Sequence, residues 1–179
     1  MSTSTSIEQK LSALRQDFDS SFALSAGGAL APQLAFLAIR VAGDPYAIRL
    51  SEVQSLHADR KLVAAPSLLP ELLGVSGFRS ILTPVYDLGQ LLGYGTVPTA
   101  RWLVVAQSIL PIAFAFGDFD SHFRVPAEQV SAPETESRNV AAVGGAVQNA
   151  GITLPLLHLP SLVEAIAQRI KAFGPSQER

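Results

Sequence analysis

Gly74-Val75-Ser76-Gly77-Phe78-Arg79-Ser80-Ile81-Leu82-Thr83-Pro84-Val85-Tyr86-Asp87-Leu88-Gly89-Gln90-Leu91-Leu92-Gly93 is the stretch on which the reading of this chain turns. A glycine-rich turn leads to a single strong positive charge, Arg79. An apolar strand, Ile81 to Tyr86, follows directly. Its Pro84 lacks a backbone N–H, which predicts an edge position or a bulge. Tyr86-Asp87-Leu88 then enters a short apolar turn of helix. No catalytic motif has this form. A guanidinium held between rigid backbone elements offers five donors in a fixed fork, suited to gripping a carboxylate or backbone carbonyls of a partner. The alternative is an internal salt bridge, with Glu52 or Glu71, that holds the turn together.

Outward from this segment the chain reads mainly as strands. Towards the N-terminus, Ala35 to Val41 is an apolar run and Ala42-Gly43-Asp44-Pro45 is a turn. Tyr46, Ile48 and Leu50 alternate with Ala47 and Arg49, the period of a half-buried strand. Val53 to His57 continues extended after a bend at Ser51-Glu52. Pro66 to Leu73 reads as a loop with a possible helical turn. Towards the C-terminus, Arg101 to Gln107, Leu110 to Phe116 and Phe119 to Val125 are strands, and Pro126 to Val130 is a helical turn. Ser131 to Asn139 is a polar loop. Ala141 to Gln148 and Ile152 to Leu157 form a hairpin about Asn149-Ala150-Gly151. Ser161 and Glu164 have the spacing that caps a final helix.

Eight to ten short strands with frequent turns, and long helices only at the ends, predict small β-barrels or a sandwich. The pattern argues against a doubly wound α/β enzyme, because no helices separate the strands. At the N-terminus, Ile7, Leu11, Leu14, Phe18 and Phe22 recur at helical spacing, with Thr5 and Glu8 as a capping box. This helix either packs back on the body or serves as a docking or dimerising element. Ser25 to Ala29 links it to the rest.

Composition narrows the function. The chain has 179 residues, enough for one domain or two small subdomains sharing a core. It is 48% hydrophobic and 16% charged, with a net charge of −2 and no basic stripe, which argues against nucleic-acid binding. It has no cysteine, so disulfides and thiolate metal sites are excluded. No signal peptide and no apolar run of about 20 residues is present, which predicts a cytoplasmic protein without direct membrane insertion.

Candidate chemistry is sparse. His57, His122 and His158 are isolated and match no metal-ligand spacing. Ser76, Asp87 and His122 follow the chain order of a hydrolase triad, but no G-x-S-x-G elbow surrounds Ser76. Asp118 and Asp120 suit a solvated turn better than a cation site. Phosphate-binding glycine motifs are absent. A non-enzymatic binding protein without cofactor or metal is the expectation.

The order of these segments resembles the CheW-type coupling proteins, scaffolds of bacterial chemosensory arrays, over about residues 34 to 165. Ala35 to Ile39 followed by Gly43 to Ile48 is similar to the family's opening hairpin. Gly74 to Gly93 is similar to its central signature, and Pro126 to Val130 and Leu154 to Leu162 also fit. The resemblance implies two five-stranded SH3-like barrels sharing a core, within a domain spanning 34–173. A helix and linker at 1–33 would precede it and a tail at 174–179 would follow. It implies an adaptor without catalysis that binds the regulatory domain of a CheA-type histidine kinase and the cytoplasmic tip of chemoreceptors. Arg79, Phe78, Val53, Ser55, Gly74 and Val75 would lie on or beside the contact surface. The chain departs from the family pattern at several points. Gly77-Phe78-Arg79-Ser80 stands for asparagine-leucine-arginine-glycine, and Ser55 stands for a glutamate able to pair with the arginine. Gly117 and His158 each stand for an aspartate. A divergent member serving a pilus, surface-motility or other chemosensory pathway fits these departures. So does a regulator or dimer of the same fold that acts through its N-terminal helix without array coupling.

Overall fold

The computed structural model describes residues 32–95, 100–132 and 142–173. Apart from Pro32 these belong to one compact unit, Gln33–Arg179. The expected N-terminal helix, the polar loop around Ser131 to Asn139 and the tail lie outside the described residues, the loop's first two residues excepted.

Eleven strands are described: β1 (Gln33–Val41), β2 (Asp44–Arg49), β3 (Val53–Ala58), β4 (Leu72–Phe78), β5 (Ile81–Asp87), β6 (Trp102–Ala106), β7 (Ala113–Phe116), β8 (Asp118–Pro126), β9 (Val130–Ser131), β10 (Val143–Asn149) and β11 (Ile152–Leu157). Two helices accompany them, a short α1 (Leu88–Leu91) and a C-terminal α2 (Leu159–Phe173). One sheet has six strands in the order β8-β1-β2-β11-β10-β9, and the other five in the order β3-β6-β7-β5-β4. The expected pair of small barrels is therefore present, with the two-residue β9 as a sixth strand on one of them. Short 3-10 turns at Leu50–Glu52 and Ala127–Gln129 occupy the positions read as a bend and a helical turn.

Period-2 alternation builds the shared core. In β1, Leu37, Ile39 and Val41 join one large apolar cluster, whereas Phe36 and Ala38 join another. In β6 and β7, Val104, Ala106, Phe114 and Phe116 enter that same large cluster, while Leu103, Val105, Ala113 and Ala115 fill a third. The large cluster thus lies between the sheets, and each smaller one fills the inside of one barrel. Strands buried on both faces need continuous apolar runs, which accounts for the high hydrophobic share of the sequence. Leu159, Leu162, Val163 and Ile166 of α2 close the shared core.

Among the described residues three hairpins turn in two residues, each with both central residues at positive φ. They are Ala42-Gly43 (52° and 92°), Arg79-Ser80 (47° and 67°) and Ala150-Gly151 (48° and 81°). Positive φ at both positions marks the type I′ turn, whose twist matches that of the flanking strands. Two of the three place glycine second; the hairpin that carries Arg79 does not.

Several expectations need correction. Pro84 does not lie on an edge strand, because β5 pairs with both β4 and β7, but the bulge expected as the alternative is close by: the β4–β5 register shifts between Leu72 and Gly74, next to Val75, the partner of Pro84. The β7 ladder takes up only Val85 to Asp87. Pro84 therefore sits just before the doubly paired part of the strand, and no hydrogen bond to β7 is lost. Pro66 to Leu73 forms no helix but one hydrogen-bonded turn, in which the Leu72 N–H donates to the Leu69 carbonyl at 3.2 Å, and β4 begins at Leu72. The final helix begins at Leu159, two residues before Ser161. His158 precedes it and accepts the first helical N–H, from Leu162, at 3.3 Å.

Candidate functional site: a cationic cleft at the Arg79 hairpin

The five-stranded sheet curls until its two edge strands face each other. The ring of His57 on β3 lies 4.8 Å from the ring of Phe78 on β4. Beside this closure is a small cleft of about 50 Å³. Gln54 and Ser55 line it from β3, Phe78 and Arg79 from the β4 end of the hairpin, Ile81 and Thr83 from β5, with Val105 and Pro111.

The hairpin geometry sets the site. Phe78 is buried as part of the barrel core, which fixes the strand end. The type I′ turn then projects Arg79 and Ser80 into solvent. An arginine and a serine in the left-handed region each cost of order 1 kcal/mol relative to glycine, and such strain concentrates at binding sites.

Arg79 has no ion-pair or hydrogen-bond partner among the described residues. The internal salt bridge considered for it is absent. Glu71 is buried and pairs with Arg169 of α2. Glu52 faces Arg49 and His158, each at 3.8 Å, and accepts the Leu159 N–H at 2.9 Å.

Arg60, which the sequence did not single out, and His57, read there only as an isolated histidine, complete the cluster with Ser55. Arg60 stacks over the Phe78 ring at 5.8 Å. Its Nη2 lies 3.5 Å from His57 Nδ1, while His57 Nε2 lies 3.0 Å from Ser55 Oγ. A guanidinium only donates, so Nδ1 is the acceptor and Nε2–H donates to the serine. Partial burial, Arg60 and Arg79 together hold the His57 pKa below its ordinary 6.5. Strand spacing was the available signal: Ser55 and His57 are two apart and share a face of β3.

The remaining expected site residues lie outside the cleft lining. Val53 is half-buried and packs on the shared core. Val75 exchanges two backbone hydrogen bonds with Val63, at 2.8 and 2.9 Å. Gly74 is buried with φ at 144°, and a Cβ there would run into the Val63 carbonyl. Its place in the signature therefore reflects a close backbone approach.

The alternatives from sequence separate in space. Ser76 is buried and donates to the Lys61 carbonyl at 3.0 Å. Buried Asp87 caps α1 by accepting from the Gly89 and Gln90 N–H groups. His122 is exposed on β8 of the other sheet. Asp120 pairs with Arg40 at 3.0 Å. Among the described residues no three His, Asp or Glu side chains gather as a metal site, and no helix is long and apolar enough to cross a membrane.

The description of the CheW-like domain matches residues 35–167, which spans both barrels and most of α2. The chain belongs to the CheW-like domain family. Within that family it is similar to the chemotaxis protein CheW of Bacillus subtilis (strain 168), 28% identical over 98 residues. That alignment covers 52% of this chain and 63% of the Bacillus protein, so the chain spans less than two thirds of that relative. The fold is similar to the crystal structure of the scaffolding protein TtCheW from Thermoanaerobacter tengcongensis. The TM-score is 0.65 at 13% identity, covering 71% of this chain and 90% of that one. In this CheW-like domain the Arg79 hairpin is an exposed turn of the barrel built from the five-stranded sheet.

Proposed function

We propose that this CheW-like protein is a non-enzymatic, cytoplasmic adaptor. It couples a CheA-type histidine kinase to the cytoplasmic tips of chemoreceptors, in chemotaxis or a related pilus or surface-motility pathway. The observation that carries this reading is the Arg79 hairpin. The family match spans both barrels, and at the tip of one of them a strained turn presents a guanidinium without an internal partner among the described residues. Such a residue contributes little to the fold and much to an interface, where arginine is enriched among the energetically dominant contacts.

Weak individual contacts suffice, because an array multiplies them through multivalency. The test is a pull-down of the full chain with the regulatory domain of the cognate kinase. Binding at tens of micromolar or tighter is expected. Arg79→Glu should lose at least about tenfold in affinity, the equivalent of about 1.4 kcal/mol, with an unchanged circular dichroism spectrum. A kinase domain that fails to bind the wild-type chain overturns the proposal.

A further inference from the structure

The cluster around Arg79 carries cations with no matching anion among the described residues. Arg60 and Arg79 are both exposed and neither contacts a carboxylate among the described residues. His57 lies between them electrostatically, since both lower its proton affinity. The nearest acidic residue in sequence, Asp59, is taken by Arg101 through contacts of 3.1 to 3.2 Å. Next to these charges is a cleft with an apolar floor, to which Phe78, Ile81, Val105 and Pro111 contribute. Ile81 is 53% exposed and its neighbour Leu82 68%. Charge without a counter-charge, beside accessible apolar surface, fits a partner with the opposite charge and its own apolar side chain.

We propose that Arg60, His57 and Arg79 form a receiving site for a carboxylate of an acidic protein segment whose neighbouring apolar side chain enters the cleft, and that His57 takes up a proton from solvent as the segment binds. The inference rests on the adaptor reading in taking the partner to be a protein, and it names the chemistry of that partner.

The proton follows from the hydrogen-bond arrangement. In the free protein Nδ1 faces Arg60, a donor, so a proton on Nδ1 would set two donors against each other. A bound carboxylate reverses this. It accepts from the guanidiniums, and it accepts equally from a protonated Nδ1. The charged imidazole, disfavoured in the free protein, is favoured in the complex. By linkage, an acidic partner then binds more tightly as pH falls towards 6, by up to about tenfold for each pKa unit that binding restores to His57.

The experiment titrates the full chain with a short acetylated peptide alternating leucine and glutamate, followed by the His57 imidazole signals in two-dimensional NMR. A leucine–glutamine peptide serves as the neutral control, and a short oligonucleotide as the alternative polyanion. The expected result has several parts. The glutamate peptide shifts signals of Phe78, Arg79, Ile81 and His57, raises the His57 pKa and binds several-fold tighter at about pH 6 than at about pH 7.5. His57→Gln keeps binding but loses that pH dependence, and Arg60→Gln weakens binding. The assignment is overturned if the glutamine peptide binds equally well, if the shifts map elsewhere, or if the His57 pKa stays fixed on binding. An oligonucleotide that outcompetes the peptide overturns it in favour of a nucleic-acid surface. The wild-type titration decides without relying on any variant. A chain that binds the kinase domain but not the peptide refutes this site alone, whereas one that binds the peptide but not the kinase refutes the coupling role alone.

Discussion

The backbone N–H of Leu159 donates to Glu52 Oε2 at 2.9 Å, joining residues 107 apart in the chain. Glu52 ends the 3-10 turn where the chain leaves β2 of one sheet for β3 of the other, and Leu159 opens the helix that closes the shared core. A carboxylate at a helix N-terminus satisfies an N–H that has no partner within the helix and complements the helix dipole. The backbone carbonyl of Glu52 also accepts from Gln107 at 2.8 Å, which ties the end of β6 to the same point. Glu52 thus joins both barrels to the final helix. Its replacement by alanine should destabilise the fold by about 1.5–3 kcal/mol, the range for losing a hydrogen bond to a charged group. Glu52→Gln should cost less, because an acceptor remains. Urea denaturation of the two variants measures the difference.

Ser80 lies at φ 67° in the second position of a type I′ turn, where the other two such hairpins have glycine. Ser80→Gly should therefore stabilise the protein by about 0.5–1 kcal/mol by relieving the left-handed strain. Ser80→Val should destabilise it, because a β-branched side chain tolerates this region least. Thermal unfolding followed by circular dichroism reads both. No gain from glycine would mean that the serine side chain offsets the strain within the turn.

Gly74→Ala tests whether this position acts through the fold or through a partner. The added methyl would meet the Val63 carbonyl, whose oxygen accepts the Val75 N–H, and φ at 144° is unfavourable for alanine. Backbone cannot swing aside as a side chain can, so a loss of about 2–4 kcal/mol is expected. Any partner-binding defect of this variant should then scale with its unfolded fraction in a denaturant titration. A fully folded Gly74→Ala protein that fails to bind would place Gly74 in the contact surface itself.

Much of this architecture was legible in the sequence, for a physical reason. Strand alternation, the turns at Ala42-Gly43 and Ala150-Gly151 and the short helix after Tyr86-Asp87-Leu88 are local signals that survive folding. Pro84 misled because local rules cannot say where a neighbouring ladder stops, and β7 begins its pairing one residue later. Arg79 stood out as the single positive charge of an apolar segment. The groups that give it a setting did not, since His57 and Arg60 reach Phe78 only when the sheet curls and brings β3 against β4. Glu52 and Glu71 were the plausible partners for Arg79 by charge alone. Only the position of α2 shows that both are engaged elsewhere, by Leu159 and Arg169.

His57 gives the stability a pH dependence whose sign can be worked out. Burial and the two arginines lower its pKa in the folded chain below the 6.5 of the unfolded one. Well above pH 6.5 the imidazole is neutral in both states and the native contribution is complete. As pH falls through 6.5 the unfolded chain takes up the proton first, so stability declines, and the decline ends once pH is below the folded pKa. Wild type should therefore lose stability as pH falls from about 7 through 6.5 relative to His57→Gln, which has no proton to gain there. Paired urea titrations across that range isolate the effect, because the other titrating groups are common to both proteins. Arg60→Gln should shrink the difference by removing one of the two positive charges that act on the imidazole. Parallel curves for wild type and His57→Gln would show that the two arginines do not hold the ring neutral.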